Sequence, residues 1–148
     1  MTQNLIQTRK RARRAAMQAI YQWQIAKQNL AVIETQFMEE HAQTKMDKEY
    51  FSHLLHGVAK QVSELDDIMQ PMIPRQTDEV TPVEMAILRL AVFELKNQLE
   101  IPFRVVINEA VDLAKKFGAD QSHKFVNGVL DKLARQLRSV EVNAGKQG

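Results

Sequence analysis

No cysteine occurs among the 148 residues, which excludes disulfides, thiolate metal sites and cysteine nucleophiles together. Glycine and proline are scarce, at five and four, and the glycines are never grouped as GxGxxG or GxxxxGKS, so no phosphate-cradling loop is encoded. The serines at 52, 63, 122 and 139 lack a nucleophile elbow. His53 and His56 lie one helical turn apart, but zinc needs three or four ligands, and no HExxH or carboxylate-histidine cluster joins them. Asn108, Glu109 and Asp112 are expected to form a buried helix-to-helix hydrogen-bond group rather than a catalytic acid pair. No charge-free stretch is long enough to span a bilayer, and the apolar core and cleavage site of a secretion signal are missing. The expectation is a cytoplasmic protein without enzymatic activity, cofactor, metal or membrane contact.

What is present is ordinary in bulk and unusual in distribution. With 45% hydrophobic and 26% charged residues, the chain can bury a core as one domain or as two small helical halves. Residues 1–27 hold six Lys or Arg and no acid. Residues 28–100 hold six basic against thirteen acidic side chains, a charge of −7, and residues 101–148 hold eight against five, or +3. Basic ends and an acidic middle suit two dissimilar partners, a polyanion and a basic protein, although a solvated surface would also account for them.

Hydrophobic residues recur with the helical period throughout, and no alternating strand pattern or internal repeat is found. The chain is read as all-α, in two three-helix halves sharing a core, about 9–70 and 81–138, with a flexible tail over 139–148. Helices are predicted from Arg9 to Lys27, Leu30 to His41, and Asp47, an N-cap, to Gln70, where Pro71 and Pro74 intervene. Thr81 and Pro82 start a helix to Asn97, and Pro102 opens another that Gly118 closes as a left-handed cap. Asp120 then caps a last helix to Arg138. The segment from Val83 to Leu95 is apolar on nearly every side and is the expected central, fully buried helix.

The first candidate site is Arg9-Lys-Arg-Ala-Arg-Arg14. At about 100° per residue, Lys10, Arg14, Met17, Tyr21 and Gln24 share one stripe, while Ala12, Ala16, Ala19, Ile20 and Trp23 face the core. Cations leading to an exposed ring suit single-stranded RNA, since they neutralise phosphates while the ring stacks on an unpaired base; the alternative is a solvated basic face. The second candidate is the helix–turn–helix around Gly118. Free N–H groups at its second helix could hold a phosphate, with Lys115, Lys116 and Lys124 adding charge. Close helix approach is the expected reason for Gly128, and Asn127 is a candidate to hydrogen-bond a neighbouring turn.

Three blocks carry a resemblance. The basic run followed by Ala19-Ile-Tyr-Gln-Trp-Gln24, the stretch Val83 to Leu95, and the pair Ile101 to Gly118 and Ser122 to Asp131 together resemble the NusB family of bacterial transcription antitermination factors, from about Arg9 to Arg138. The resemblance implies an all-helical fold without enzymatic activity. It also implies binding of the boxA element of ribosomal RNA leader transcripts, together with NusE, a small-subunit ribosomal protein. Other Nus factors and RNA polymerase are implied as partners through the complex, and both monomer and homodimer are compatible with the free state. Carried onto this chain, the RNA surface is Arg9, Lys10, Arg11, Arg13, Arg14, Tyr21 and Gln24, with Ser122, Lys124 and Phe125 around the second turn, where the charge of Lys115 and Lys116 adds those two lysines to the candidate RNA contacts. Asp78, Glu79 and Glu84 are the positions expected to meet NusE. Lys10 departs from a common arginine, and Gln121 replaces an acidic residue often seen there and is expected to alter RNA affinity.

Two other readings stay open at this stage. A NusB-like domain precedes the catalytic domain of some ribosomal RNA cytosine methyltransferases, although the chain ends soon after its last helix without room for a cofactor-binding sheet. A protein adaptor whose basic end meets acidic protein is the third.

Overall fold

The computed structural model describes residues 3–74 and 79–147. Seven α-helices follow one another among them: α1 (Gln3–Ala26), α2 (Leu30–Glu40), α3 (Lys48–Met69), α4 (Pro82–Asn97), α5 (Phe103–Phe117), α6 (Ser122–Leu137) and α7 (Ser139–Gln147), with a 3-10 turn over Gln70–Met72 after α3. The fold is all-α. The chain divides into two compact units, residues 1–61 and 62–148, and the division falls within α3.

In the first unit, α1 buries Ala12, Ala16, Ala19 and Ile20, the face its spacing assigns to the core, while Trp23 is half-buried. Small alanines permit close approach, and the larger volume comes from α2 and α3, where Ile33, Phe37, Phe51, Leu54 and Leu55 are buried and the Phe37 and Phe51 rings stack at 6.0 Å. Burial of a side chain the size of Phe51 stabilises by roughly 2–3 kcal/mol. Asp47 caps α3 as expected, its carboxylate accepting from the Tyr50 N–H at 3.0 Å. Glu34 on α2 accepts from the Ser52 hydroxyl on α3 and pairs with His56 at 3.1 Å. The helix start expected at Arg9 lies at Gln3 instead, because nothing in the polar residues before it breaks a helix.

In the second unit, α4 is the central helix, with Ala86 to Leu88 and Leu90 to Leu95 all buried. Its start is a capping box: the Glu84 N–H donates to the Thr81 hydroxyl, and the Thr81 N–H donates to the Glu84 carboxylate, both at 3.1 Å. The other Glu84 oxygen accepts from the Ser122 hydroxyl, on the first residue of α6, at 2.7 Å. At the far end, the buried Arg138 guanidinium donates to the carbonyls of Leu95, Ile101, Gln98 and Glu94 and to Glu141. The two starts are thus joined and the two ends are joined, so α4 and α6 run parallel, each 16 residues long. Outside this pair, Arg89 forks onto Asp66 at 2.8 and 2.9 Å and Lys96 meets Glu64 at 2.9 Å, which fixes the end of α3 against α4.

Several expectations are corrected in this unit. Gly118 is extended (φ −84°, ψ 172°) rather than left-handed. It is needed for space, because a Cβ there would stand 2.7 Å from both the Ala114 carbonyl oxygen and the Ser122 Cβ. The left-handed residue is Gln121 (φ 73°), which occupies the N-cap of α6 in place of Asp120 and makes no side-chain cap bond. Gly128 is not at a close helix approach, since nothing lies within 4 Å of a Cβ built on it. Asn108 and Asp112 are exposed and Glu109 is half-buried, so the expected buried polar group does not form. The tail expected to be loose is helical as α7, because Glu141 receives both Arg138 and the Phe103 N–H, the latter at 2.8 Å, and so caps α5, whose N-cap Pro102 has no side-chain cap bond.

Arg138 is the keystone of the second unit. Arg138→Ala is expected to lower unfolding free energy by about 3 kcal/mol or more, because buried carbonyls lose their donor, and Arg138→Lys to recover only part of it, since an ammonium cannot span four carbonyls. Urea denaturation of the three chains checks this. In the first unit, the Glu34 carboxyl is held below its ordinary value, first by the Ser52 hydroxyl, against opposing desolvation, and then by His56. A carboxylate lowered in this way stabilises the fold above its unfolded pKa and loses that contribution as pH falls through the folded one. Ser52→Ala is expected to move the Glu34 titration upward, read by carboxyl 13C NMR; an unmoved titration would remove the hydroxyl as the cause.

Candidate nucleic-acid interface

The basic run on α1 splits into two groups with different roles. Arg9 and Arg13, one helical turn apart, both approach Tyr50 at the start of α3, with guanidinium carbons 4.4 and 5.6 Å from its ring centroid. Arg9 also lies 3.7 Å from Asp47. Arg13 is only 5% exposed, so its expected placement on an RNA surface is corrected: its charge lies over a ring inside the first unit, where cation–π attraction holds α1 to α3. Arg11 is exposed and donates to the Lys45 carbonyl at 2.9 Å.

Arg14 and Tyr21 are exposed, the ring by 38%, and Lys10 and Gln24 are half-buried. Met17, expected between them on the same stripe, is buried in the core. The outward face of α1 therefore presents Lys10, Arg14 and Tyr21 along one side, while the Met17 side chain lies at the border of that face and is buried, where a thioether gains more than in water. Ile25, one turn beyond Tyr21, is 53% exposed and extends the ring's apolar surroundings.

Around the turn from α5 to α6, Lys115, Lys116 and Lys124 are exposed and Phe125 is half-buried. Ser122, expected among the RNA contacts, is buried and donates its hydroxyl to Glu84. The expected set of free N–H groups is also reduced, since the Ser122 N–H donates to the Ala119 carbonyl at 3.0 Å and the Lys124 N–H to that of Gln121 at 3.1 Å. What remains for an anion here is the charge of three lysines and the positive end of α6. Asn127, a candidate for a turn hydrogen bond, is exposed.

Of the acidic positions, Glu79 is exposed. Glu84 is buried at 2% and committed to the capping box and Ser122, so its expected contact with a partner protein is corrected. Asp78 lies outside the described residues. No signal of composition marks Glu84 as internal, but Thr81 three residues before it does, through the capping-box pattern. Nothing in composition marks Asp47 and Tyr50 as partners of the basic run; the i, i+4 spacing of Arg9 and Arg13 is the sequence sign that the two share a neighbour. Among the described residues, no helix is long and apolar enough to cross a membrane, and no cluster of three or more His, Asp or Glu is placed to hold a metal ion.

A family model, described as the NusB family, matches residues 10–135. This chain belongs to the NusB family. Curated NusB relatives agree: the transcription antitermination protein NusB of Teredinibacter turnerae is 54% identical, covering 94% of this chain and 95% of its own. That of Alcanivorax borkumensis is 53% identical, covering 91% and 90%. Among solved structures, a NusB crystallised with NusE and double-stranded RNA is 30% identical with a TM-score of 0.77, covering 86% of this chain and 96% of that one. The solution structure of NusB from Aquifex aeolicus is 29% identical with a TM-score of 0.75, covering 90% and 91%.

The two kinds of arginine separate in experiment. Arg13→Ala is expected to lower the melting temperature, with a loss of about 1–2 kcal/mol from the desolvated cation–π contact and its packing, whereas Arg14→Ala leaves it within about 0.5 kcal/mol of the parent. Thermal unfolding followed by circular dichroism measures both; equal melting temperatures would contradict the burial of Arg13.

Proposed function

We propose that this chain is a non-catalytic, RNA-binding transcription antitermination factor. It binds the boxA element of ribosomal RNA leader transcripts together with a NusE partner, and through the complex with other Nus factors it modifies RNA polymerase. The observation that carries the reading is the outward face of α1, where Lys10, Arg14 and the exposed Tyr21 ring stand on a chain similar in fold to a NusB solved with NusE and RNA. Phosphate neutralisation by the cations supplies affinity, and stacking on Tyr21 supplies a preference for unpaired bases. Arg11 and Gln24 on α1 are proposed as further RNA contacts, and Lys115, Lys116, Lys124 and Phe125 are proposed as RNA contacts of the second unit by itself. Arg9 contributes through its position beside Tyr50. Glu79 and Asp78 are proposed to face the basic surface of NusE.

The solved relative holds double-stranded RNA, and a duplex offers phosphates but no free base face. Titration of a fluorescent boxA-like single strand and of its duplex, with and without NusE and over a range of salt, therefore tests the reading. Affinity is expected to fall linearly with salt on logarithmic axes, and Arg14→Ala to reduce the slope by about 1. Tyr21→Ala is expected to weaken the single strand by about 1–3 kcal/mol and leave the duplex unchanged. Equal binding of unrelated strands, with NusE present or absent, would refute the proposal.

A further inference from the structure

Residues 62–148 contain an open groove of about 300 Å³ where α5, α6 and α7 meet, and none of the roles above uses it. Asn127, Asp131 and Arg135 recur every four residues on α6, forming a line about 12 Å long at about 1.5 Å per residue. Across the groove, Arg104 and Asn108 stand one turn apart on α5, above an apolar floor of Phe103, Ile107 and Val142. Asp131 and Arg135 satisfy each other at 2.9 Å. Arg104 does not share that arrangement: its guanidinium carbon lies 5.5 Å from the Phe103 ring centroid, and no carboxylate among the described residues pairs with it. Asn108 and Asn127 are exposed, and neither carboxamide has a hydrogen-bond partner among the described residues.

Gly128 follows Asn127 on α6 and offers a position for a test. Glycine is a poor helix residue, yet nothing in this chain comes within 4 Å of the Cβ that Gly128 lacks. Its backbone is helical, with no positive φ at any described glycine, so neither conformation nor internal packing requires it. Gly128 is exposed next to Asn127 on α6, so a side chain placed there would stand in solvent at the margin of the groove.

We propose that this groove binds an extended acidic segment, about four residues long, of a protein partner. About 12 Å accommodates four residues at roughly 3.3 Å each. Each asparagine carboxamide offers both a donor and an acceptor, which matches the paired N–H and C=O of a peptide bond. Arg104 receives a carboxylate in its planar fork, and the apolar floor receives one side chain. A phosphodiester backbone fits this chemistry poorly, because its phosphates have no hydrogen to give the carboxamide oxygens, whereas each peptide bond carries both an N–H and a C=O. The proposal goes beyond RNA binding and does not depend on it.

The test is an NMR titration of the full 15N-labelled chain with the peptide acetyl-Ala-Glu-Leu-Glu-Ala-amide and with its counterpart carrying Lys in place of both Glu. The acidic peptide is expected to shift the side-chain amide signals of Asn108 and Asn127 saturably, and the Lys peptide is not. Arg104→Glu should weaken binding at least about tenfold. Gly128→Gln should leave the melting temperature equal or higher, since it improves helix propensity in open space, and yet weaken the peptide by obstructing its approach. Four results would overturn the proposal: unmoved asparagine signals, equal response to the Lys peptide, the same shifts from a boxA-like RNA strand, or the same shifts from raising the concentration of the chain alone.

Discussion

A guanidinium removed from water costs several kcal/mol unless its hydrogens find acceptors, and the organisation of the second unit answers to that requirement at Arg138. Four backbone carbonyls and one carboxylate surround it, and three of the carbonyls belong to the end of α4 and the residue after it, where a helix leaves its acceptors unsatisfied. One charge therefore closes the end of α4, fixes the end of α6 beside it, and holds Glu141 where it caps α5. At the opposite end, Ser122 and Glu84 perform the matching task. With both ends tied, the α5–α6 turn has little room, and Gly118 is the only residue type that fits between the Ala114 carbonyl and Ser122. The lysines of that turn are presented by a backbone held from behind by buried polar contacts.

In the first unit a similar economy divides the basic run. Cations four residues apart share a helix face, so Arg9 and Arg13 meet one ring, Tyr50, and join α1 to the start of α3. Arg14, one residue along, points to solvent. The same stretch thus anchors the helix and offers it to a polyanion, and its charge total does not reveal the division. An anchored helix presents Tyr21 with its backbone already ordered, so less conformational entropy remains to be lost when a base stacks on it.

The helices were largely legible in the sequence. Asp47, Thr81 with Pro82, and the all-round apolar stretch from Val83 to Leu95 are local signals, and the structure places caps and a buried helix there. Local signals are ambiguous where one residue type serves more than one purpose. Gly118 reads as a left-handed cap because glycine serves two purposes, conformation and space, and only the neighbouring Ser122 shows that it serves the second. The tail after Arg138 is polar and lacks periodicity; its helix depends on Glu141 finding partners 38 residues away in sequence as well as three.

Residue chemistry and helical spacing by themselves determined that the chain is all-α, that α4 lies inside, that no cysteine or glycine-loop chemistry is available, and that basic side chains gather on α1 and near Gly118. These follow from interactions between residues within a few positions of one another, which order along the chain records directly. Which charges face water was decided only by tertiary structure. Arg13, Ser122 and Glu84 are polar residues whose burial depends on partners 37 or 38 positions distant, in Tyr50 for the first and in each other for the second and third. The free energy of a charge is set by the dielectric and the acceptors around it, and those exist only once the helices have packed.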